Sequence, residues 1–452
     1  MLNVVIVGAG EVGCHIASVL SAQDHNVILI DTQGKKLEQA AATIDVAFRE
    51  GSGTDWQLLD DLLEFSPHFL LAMTSDDHTN LVACSIAKQL GYPRTIARVK
   101  DNRYLNRTRL DFARLFHVDH FMGPELIVAN DILKYMLSPG SLAIEMFAHG
   151  AIQLRTISIP DSWPNAHVPL RDLRFPEGLM IGLIRRQVSS DQEPLTLFPH
   201  GYDLILPGDE VTLIGETDVL KTGAEYFGAM HKIIDNVVIV GGSLTSLNLA
   251  KLLEHRGINI RIIEKDYERC CWLADLLPKC TIIHRDATDI EFLRSEKVGH
   301  ADLLIVCTSN DELNLMIGLL GKEVGCKDTI ALLTNASYGS MFTQLGINFT
   351  ASPRLSAAHH IVSLMLSGSV SSLVSLYENA AEIMEINVSP NSPIIGVPLA
   401  ELGPMLPTDF LIAAIQNRGH VMIANGNRMI SPGDTVIVLT HPKHVKQLEK
   451  LF

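Results

Sequence analysis

NVVIVGAGEVGCHIA, residues Asn3–Ala17, decides the fold of the first part of the chain. The apolar run Val4–Val7 predicts a buried strand, and the residues after it predict a helix. Three glycines at G-x-G-x-x-G spacing follow the strand: Gly8, Gly10 and Gly13. This order of strand, glycine turn and helix is typical of a phosphate-binding βαβ unit.

The glycines and an acid further along have separate tasks in such a turn. Gly8 permits the tight turn, Gly10 lets the backbone approach a diphosphate without an intervening Cβ, and Gly13 lets the helix pack close to the sheet. The helix amino terminus adds unpaired N–H groups for phosphate. Asp31 stands 18 residues beyond Gly13, where it would accept hydrogen bonds from an adenosine ribose. The pattern favours NAD over NADP but leaves NAD(H), ATP and ADP open; a glycine turn that binds nothing is the structural alternative.

The opening phrase returns as VVIVGGSLTSLNLA, Val237–Ala250, with Gly241 standing 233 residues beyond Gly8. Glu264 stands the same distance beyond Asp31. Later motifs repeat at similar spacing: GSGTD (51–55) with RDATD (285–289), TSDDHTN (74–80) with TSNDELN (308–314), and LPGDEVTLIG (206–215) with SPGDTVIVLT (431–440). The chain is therefore a tandem repeat of two copies of about 230 residues.

Each copy begins with short apolar strands that alternate with amphipathic helices. In the first copy, strands are predicted at Val4–Val7, Val27–Ile30, Val46–Arg49, Phe69–Thr74 and Thr95–Val99. Helices are predicted from Glu11 and at Lys35–Ala42, Trp56–Leu63, Asp77–Leu90 and Pro124–Leu137. This alternation indicates a doubly wound parallel sheet, the Rossmann arrangement.

Each copy ends in a segment of short strands with Pro and Gly turns, interpreted as a small α+β lobe with two strand pairs. The predicted fold class is therefore α/β: a tandem repeat of a doubly wound parallel-sheet lobe followed by a small α+β lobe. The expected bounds are 1–123 and 232–352 for the parallel-sheet lobes, and 140–228 and 370–452 for the small lobes.

Further candidate residues fall at the carboxyl ends of predicted strands, where ligands bind in such sheets. Thr74 and Ser75 are candidates for phosphate or ribose contact, or form an ordinary N-cap for the helix that begins near Asp77. Arg98 is suited to bidentate phosphate contact, or is a solvated or subunit-bridging arginine. The candidate set of this copy is completed by Thr54 and Met73.

The second copy departs from the first at the phosphate turn. Ser243 stands at the Gly10 position, Ser246 at that of the third glycine, and Leu332 at the Arg98 position. A side chain at the point of close approach and the loss of a counter-charge predict a weaker or differently selective second site. A decayed copy that serves only as a partner surface is the alternative.

Composition restricts the possible functions. The 51 acidic and 36 basic residues give a net charge of -15 without a basic block, so nucleic acid is not an expected partner. The seven cysteines show no C-x-x-C pair, and no metal site is expected. Because HExxH, G-x-S-x-G and P-loop motifs are also missing from the sequence, no catalytic residue is assigned. The start of the chain has no leader pattern, so a cytoplasmic location is expected.

The segment Leu355–Tyr377 contains no Lys, Arg, Asp or Glu and is long enough to cross a bilayer. His359, His360 and Gly368 would make it a poor spanning helix. We therefore predict a buried or subunit-crossing helix in this segment, with a helix assigned at Pro353–Leu366. The two histidines are predicted to be core or interface residues.

Together these motifs resemble the TrkA family, the peripheral subunits of Trk-type potassium uptake systems, in which each half is an RCK (KTN) unit. The resemblance covers essentially the whole chain. Its carriers are VVIVGAGEVG, LID ending at Asp31, REGSGTD, TSDDHTN, IARV, and the PGD turns at Pro207 and Pro432.

The resemblance implies a subunit that binds NAD(H), ATP and ADP on the cytoplasmic face of the inner membrane. It implies an integral, TrkH/TrkG-like potassium-translocating partner, and a homotetramer whose ring contains eight Rossmann lobes. The ligand contacts it implies in the first copy are Gly8, Ala9, Gly10, Glu11, Val12, Asp31, Thr74 and Arg98. Those in the second copy are Gly241, Gly242, Ser243, Leu244, Thr245 and Glu264.

The expected function is therefore regulatory and not enzymatic. Nucleotide binding would change the relative stability of two ring arrangements and so gate the membrane partner. An NAD-dependent oxidoreductase is the first alternative, and a structural adaptor with vestigial pockets is the second.

Overall fold

Two parallel and two antiparallel sheets form the part of the chain that the computed structural model describes. The described residues are 2–105, 110–137, 141–187, 194–228, 234–365, 370–376, 380–403, 406–417 and 420–452.

The first parallel sheet has the strand order β3-β2-β1-β4-β5-β6. Its strands are β1 (Asn3–Val7), β2 (Asn26–Asp31), β3 (Ala47–Glu50), β4 (Phe69–Ala72), β5 (Arg94–Arg98) and β6 (His120–Met122). Its helices are α1 (Glu11–Ala22), α2 (Gly34–Ala41), α3 (Trp56–Asp61), α4 (Asp77–Leu90), α5 (Phe112–Leu115) and α6 (Pro124–Leu137). The order reverses between β1 and β4, and this switch point positions a crevice at the carboxyl edge.

The central strand explains why this sequence forms a covered parallel sheet. Val4, Val5 and Ile6 are all 0% exposed, so β1 is buried on both of its faces. A strand buried on both faces needs a continuous apolar run, whereas a half-exposed strand would alternate with polar residues. The Val/Ile content of β1 therefore dictates its central place.

The first antiparallel sheet has the strand order β10-β9-β11-β8-β7. Its strands are β7 (Ser141–Phe147), β8 (Ile152–Ser158), β9 (Leu179–Arg186), β10 (Leu195–Leu197) and β11 (Glu210–Glu216), followed by the helix α7 (Thr217–Tyr226).

The second copy repeats both sheets. The parallel sheet contains β12 (Asn236–Val240), β13 (Asn259–Glu264), β14 (Thr281–His284), β15 (Leu303–Val306), β16 (Thr329–Leu332) and β17 (Phe349–Ala351). Its helices are α8 (Leu244–Glu254), α9 (Tyr267–Leu276), α10 (Ile290–Ser295), α11 (Asp311–Glu323), α12 (Gly339–Gln344) and α13 (Pro353–Met365). The antiparallel sheet contains β18 (Val370–Leu376), β19 (Ala381–Asn387), β20 (Phe410–Asn417), β21 (His420–Ile423) and β22 (Thr435–Thr440), followed by the helix α14 (Val445–Leu451). The strand order of the parallel sheet is β14-β13-β12-β15-β16-β17, as in the first copy. The order of the antiparallel sheet, read from the same edge as in the first copy, is β21-β20-β22-β19-β18 and also matches.

The predicted fold class is confirmed, and two details differ. The parallel sheet has a sixth strand, β6, which the sequence pattern did not predict. Each small lobe forms a five-stranded sheet where two strand pairs were predicted. The extra strands are short or edge strands whose apolar pattern is too brief to identify them.

The four lobes assemble into two compact units made of non-contiguous segments. One unit contains residues 1–133 and 234–361, which hold both parallel sheets; the other contains 134–233 and 362–452, which hold both antiparallel sheets. In the second unit a single apolar cluster joins the two copies, with Leu154 and Leu183 from one and Ile383 and Leu439 from the other.

The helix predicted at Pro353–Leu366 is confirmed as α13, whereas the interpretation of the whole segment Leu355–Tyr377 as a helix is wrong in its second half. The helix α13 ends at Met365 and the chain continues as the strand β18, with residues 366–369 and Tyr377 outside the described ranges. A β-branched, serine-rich run such as VSSLV favours a strand over a helix. Among the described residues, we find no helix with the length and apolarity needed to cross a membrane.

Candidate nucleotide-binding sites

A cavity of about 470 Å³, the first crevice, lies at the carboxyl edge of β1, β2, β4 and β5. Predicted residues that line it are Gly8, Gly10, Glu11, Val12, Asp31, Met73, Thr74, Ser75 and Arg98. Lining residues that were not predicted are Val7, Ile30, Thr32, Gln33, Lys36, Gly51, Ser52, Gly53, Asp76 and Thr79. The topology thus brings most of the predicted set together, whereas Ala9, Gly13 and Thr54 do not line the cavity.

The three glycines of the turn differ in what a side chain would meet. Gly8 has a φ of +107°, and a Cβ there would lie 2.9 Å from the backbone nitrogen of Thr74. A Cβ at Gly13 would lie 1.9 Å from the carbonyl oxygen of Gly8. A Cβ at Gly10 would meet no protein atom within 4 Å. The packing of the turn therefore requires residues without a side chain at Gly8 and Gly13. No contact among the described residues requires this at Gly10.

The amino terminus of α1 opens onto the first crevice. Its N-cap is Gly10, and among the described residues this terminus has no side-chain cap hydrogen bond. By contrast, Asp55, Asp76 and Asp111 cap the helices α3, α4 and α5 with their carboxylates. The N–H groups of α1 therefore remain available to an anionic ligand.

Asp31 is held at the end of β2 by backbone donors. Its Oδ2 accepts from the N–H of Ala9 at 2.8 Å, and its Oδ1 accepts from the N–H of Gln33 at 2.9 Å. Each carboxylate oxygen has capacity for another donor. The carboxylate is thus oriented beside the glycine turn, in the lining of the first crevice.

A buried amide organises the edge of β4. Asn80 is 0% exposed, and its Oδ1 accepts from the backbone N–H of Thr74 at 2.9 Å and from its hydroxyl at 2.7 Å. Its Nδ2 donates to the carbonyl oxygens of Thr74 and Arg98. Asp76, and neither Thr74 nor Ser75, caps α4. Asn80 was missed by the sequence analysis, although both copies place Asn at this position of the motif.

Arg98 is ion-paired within its own lobe. Its Nη2 lies 2.9 Å from Oε1 of Glu125, in the first turn of α6, and the two side chains are 13% and 19% exposed. Nε of Arg98 and Oε2 of Glu125 have no hydrogen-bond partner among the described residues. The arginine lines the crevice with hydrogen-bonding capacity left unused.

Thr54 stands outside the first crevice. Its hydroxyl hydrogen-bonds that of Ser52 at 2.8 Å. The neighbouring Gly53 packs on β1, because a Cβ there would lie 2.2 Å from Cγ1 of Val7. Within the GSGTD motif, Gly51, Ser52 and Gly53 line the first crevice, whereas Thr54 serves the turn.

The second crevice is a cavity of about 340 Å³ at the equivalent edge of the second parallel sheet. Of the predicted residues, Gly241, Gly242, Ser243 and Glu264 line it, whereas Leu244 and Thr245 do not. Thr245 is 2% exposed, so its side chain belongs to the lobe interior.

Two serines close the amino terminus of α8. Ser243 is the N-cap, and its hydroxyl accepts from the N–H of Ser246 at 3.2 Å. The Ser246 hydroxyl donates to the carbonyl oxygen of Gly241 at 2.6 Å. The backbone N–H of Ser246 is thus engaged by the side chain of Ser243, whereas the amino terminus of α1 has no such cap.

The second crevice is also more basic than the first. It is lined by Lys265, Arg269 and Arg285, with Glu264 and Asp286 as its acids. Nε of Arg269 donates to the carbonyl oxygen of Gly242, and its guanidinium lies 3.8 Å from the centroid of the Trp272 ring. Burial lowers the pKa of Arg269. The first crevice instead has two cations, Lys36 and Arg98, beside its acids.

Models of two domain families match this chain. The TrkA-N domain matches residues 4–119 and again residues 237–353, and the TrkA-C domain matches residues 383–452. The chain belongs to the TrkA family. The two TrkA-N matches coincide with the two parallel sheets that form the crevices.

Full-length relatives of the TrkA family give the same result. The chain is 29% identical to the Trk system potassium uptake protein TrkA homolog 1 of Methanosarcina mazei over 459 residues, which covers 100% of both chains. It is also 29% identical to the Trk system potassium uptake protein TrkA of Haemophilus influenzae, over 100% of this chain and 98% of that protein.

Solved structures share the fold of this TrkA-family chain. The GsuK channel bound to NAD aligns with a TM-score of 0.63 at 17% identity, covering 99% of this chain and 78% of that one. The GsuK RCK domain aligns with a TM-score of 0.62, also at 17% identity, over 99% of this chain and 94% of that one. The likeness extends to both copies of the repeat.

Proposed function

We propose that this chain is the nucleotide-binding regulatory subunit of a potassium uptake system. The observation that carries the proposal is the uncapped amino terminus of α1 at the bare Gly10, with the carboxylate of Asp31 fixed beside it. Relatives over the full length are named Trk system potassium uptake proteins, which supports potassium transport as the process.

The proposed ligand is an adenine nucleotide, NAD(H) or ADP and ATP. The diphosphate would lie against the N–H groups of α1, and the ribose would donate to Asp31. Arg98, Thr74 and Ser75 would line the phosphate or second-ribose side. NAD is bound by the similar GsuK channel, and ADP appears in a second GsuK structure that aligns with a TM-score of 0.50. The second crevice is proposed to bind more weakly or with different selectivity, because Ser243 occupies its helix terminus.

A regulatory role is favoured over oxidoreductase chemistry. The full-length relatives are named potassium uptake proteins, which supports regulation of transport over redox catalysis. Regulation needs only differential affinity: a tenfold preference for one arrangement contributes about 1.4 kcal/mol per site. In the proposed assembly, four chains form a ring of eight Rossmann lobes on the cytoplasmic side of a TrkH/TrkG-like membrane partner.

Calorimetric titration with NADH, ADP and ATP tests the ligand directly. The variant Gly10→Val should fold normally, because its Cβ meets no atom within 4 Å, but should lose binding at the first crevice. Gly403→Val is the matched control, since a Cβ there also meets no atom within 4 Å and Gly403 lies in a small lobe. Equal saturable binding by wild type and Gly10→Val would contradict the proposal.

A further inference from the structure

A cation from the second parallel-sheet lobe pairs with a residue that lines the first crevice. Nη2 of Arg354 lies 2.5 Å from Oε2 of Glu11. Glu11 is the first residue of α1 and lines the crevice, whereas Arg354 is the second residue of α13 in the other copy. Both lobes belong to one compact unit. The wall of the first crevice is therefore supported from both halves of the repeat.

The ion pair has no equivalent at the second crevice. The repeat aligns Glu11 with Leu244, so the second glycine turn lacks the acid. It aligns Arg354 with Glu125, which pairs with Arg98 inside the first lobe. Glu125 at the start of α6 and Arg354 at the start of α13 thus carry opposite charges. Each forms an ion pair with a residue that lines the first crevice.

Glu11 would oppose an anionic ligand if it were not neutralised. A carboxylate in the first turn of a helix is stabilised by the same N–H groups and positive potential that attract a phosphate. Two like charges at such a site repel one another. The Glu11 side chain is 69% exposed and borders the cavity, whereas the Arg354 side chain is 24% exposed and does not line it.

The position of Arg354 depends on how the two lobes pair. Two residues further along α13, the hydroxyl of Ser356 donates to Oδ2 of Asp131, in α6, at 2.6 Å. A second bond between the lobes runs from Nδ2 of Asn102 to Oδ1 of Asn248 at 2.6 Å. The first bond holds α13 against α6 and the second holds α8 against the first lobe, so the guanidinium reaches Glu11 only while the lobes remain paired.

We propose that Arg354 is a positioning residue of the first crevice, which neutralises and orients Glu11 so that the helix terminus accepts an anionic nucleotide. The inference rests on the proposed function, because it takes a nucleotide diphosphate as the ligand. Beyond that function, the affinity of the first crevice for nucleotide then depends on a residue of the second copy. This gives the second lobe a role in binding that does not need a ligand of its own.

Titration of the full-length chain with NADH tests the role of Arg354. Arg354→Gln leaves the Glu11 carboxylate without its counter-charge and should weaken binding roughly fivefold. Glu11→Gln should bind at least as tightly as the wild type, and the double variant should regain the affinity of Glu11→Gln. Arg354→Lys, which keeps the charge, should retain most of the affinity. Higher salt should reduce the loss in Arg354→Gln.

The matched control is Arg294→Gln, which removes an arginine from an exposed ion pair with Glu291 in the same lobe and should not change binding. Wild-type affinity in Arg354→Gln would overturn the inference. So would a double variant as weak as Arg354→Gln alone, because Arg354 would then act through the lobe and not through Glu11. A wild-type chain without saturable NADH binding would instead contradict the proposed function itself, and the inference with it.

Discussion

The hydroxyl of Ser246 donates to the carbonyl oxygen of Gly241 at 2.6 Å, at the position where the first copy has Gly13. In the first copy a Cβ at that place would lie 1.9 Å from the equivalent carbonyl oxygen, of Gly8. The second glycine turn has therefore adjusted to a side chain and satisfied it. The second copy is an ordered alternative form of the turn, in which the helix terminus is closed by the protein itself.

Opening that terminus should strengthen nucleotide binding at the second crevice. Ser243→Gly removes the cap from α8 and frees the N–H of Ser246 for phosphate, at a cost of only a few tenths of a kcal/mol in stability. We expect NADH affinity to rise about two- to fivefold, measured by calorimetry in a Gly10→Val background so that only the second crevice responds. Ser246→Ala keeps the cap and serves as the control. Unchanged affinity in Ser243→Gly would show that the cap does not compete with the ligand.

Removal of the buried amide should damage the first crevice. Asn80→Ala deletes the partner of Thr74 and of the Arg98 carbonyl, so we expect an apparent destabilisation of about 2 kcal/mol or more and weaker NADH binding. Thermal unfolding and calorimetry measure the two effects.

The repeat provides the matched control for this variant. Asn314 is also 0% exposed, and it makes the same bonds to Thr308 and to the Leu332 carbonyl. Asn314→Ala should lower stability similarly while leaving the first crevice intact. Equal loss of NADH affinity in both variants would mean that Asn80 acts only through global stability.

Acid should destabilise the unit that holds both parallel sheets. Burial lowers the pKa of His15, helped by the nearby charges of Arg354 and His359. Below a pH of about 6.5 the unfolded chain protonates this histidine while the folded chain keeps it neutral. The unfolded state then binds more protons, so the free energy of unfolding falls as the pH decreases.

Thermal unfolding between pH 7.5 and 5, within the range set by that ordinary histidine value, measures the effect. His15→Asn should flatten the pH dependence, because it removes the histidine whose pKa burial lowers. An identical pH dependence in wild type and His15→Asn would contradict this explanation.

The sequence alone was sufficient for the features with strong local patterns. The apolar run of β1 and the spacing of Gly8, Gly10 and Asp31 predicted a parallel sheet and placed these residues at one edge, where the structure has them. The repeat predicted the second sheet. His359 is exposed in this chain, so its interpretation as a core residue is wrong and a place at an interface stays a prediction.

Other features depend on contacts that no local pattern records. The strand β6 has three residues and an exposed His120, too short a segment for a period to appear. Asn80 lies in a polar motif that gives no sign of its burial. The contact of Glu11 with Arg354 joins distant parts of the chain and exists only because the two lobes pair.

The most direct test of the account is potassium flux through the membrane partner, reconstituted in vesicles with this chain, as NADH or ADP is added. We predict that nucleotide changes the flux with the wild-type chain, and that Gly10→Val still associates with the partner but no longer responds. A flux that is the same with and without nucleotide, under conditions in which calorimetry shows the first crevice to be filled, would contradict the account.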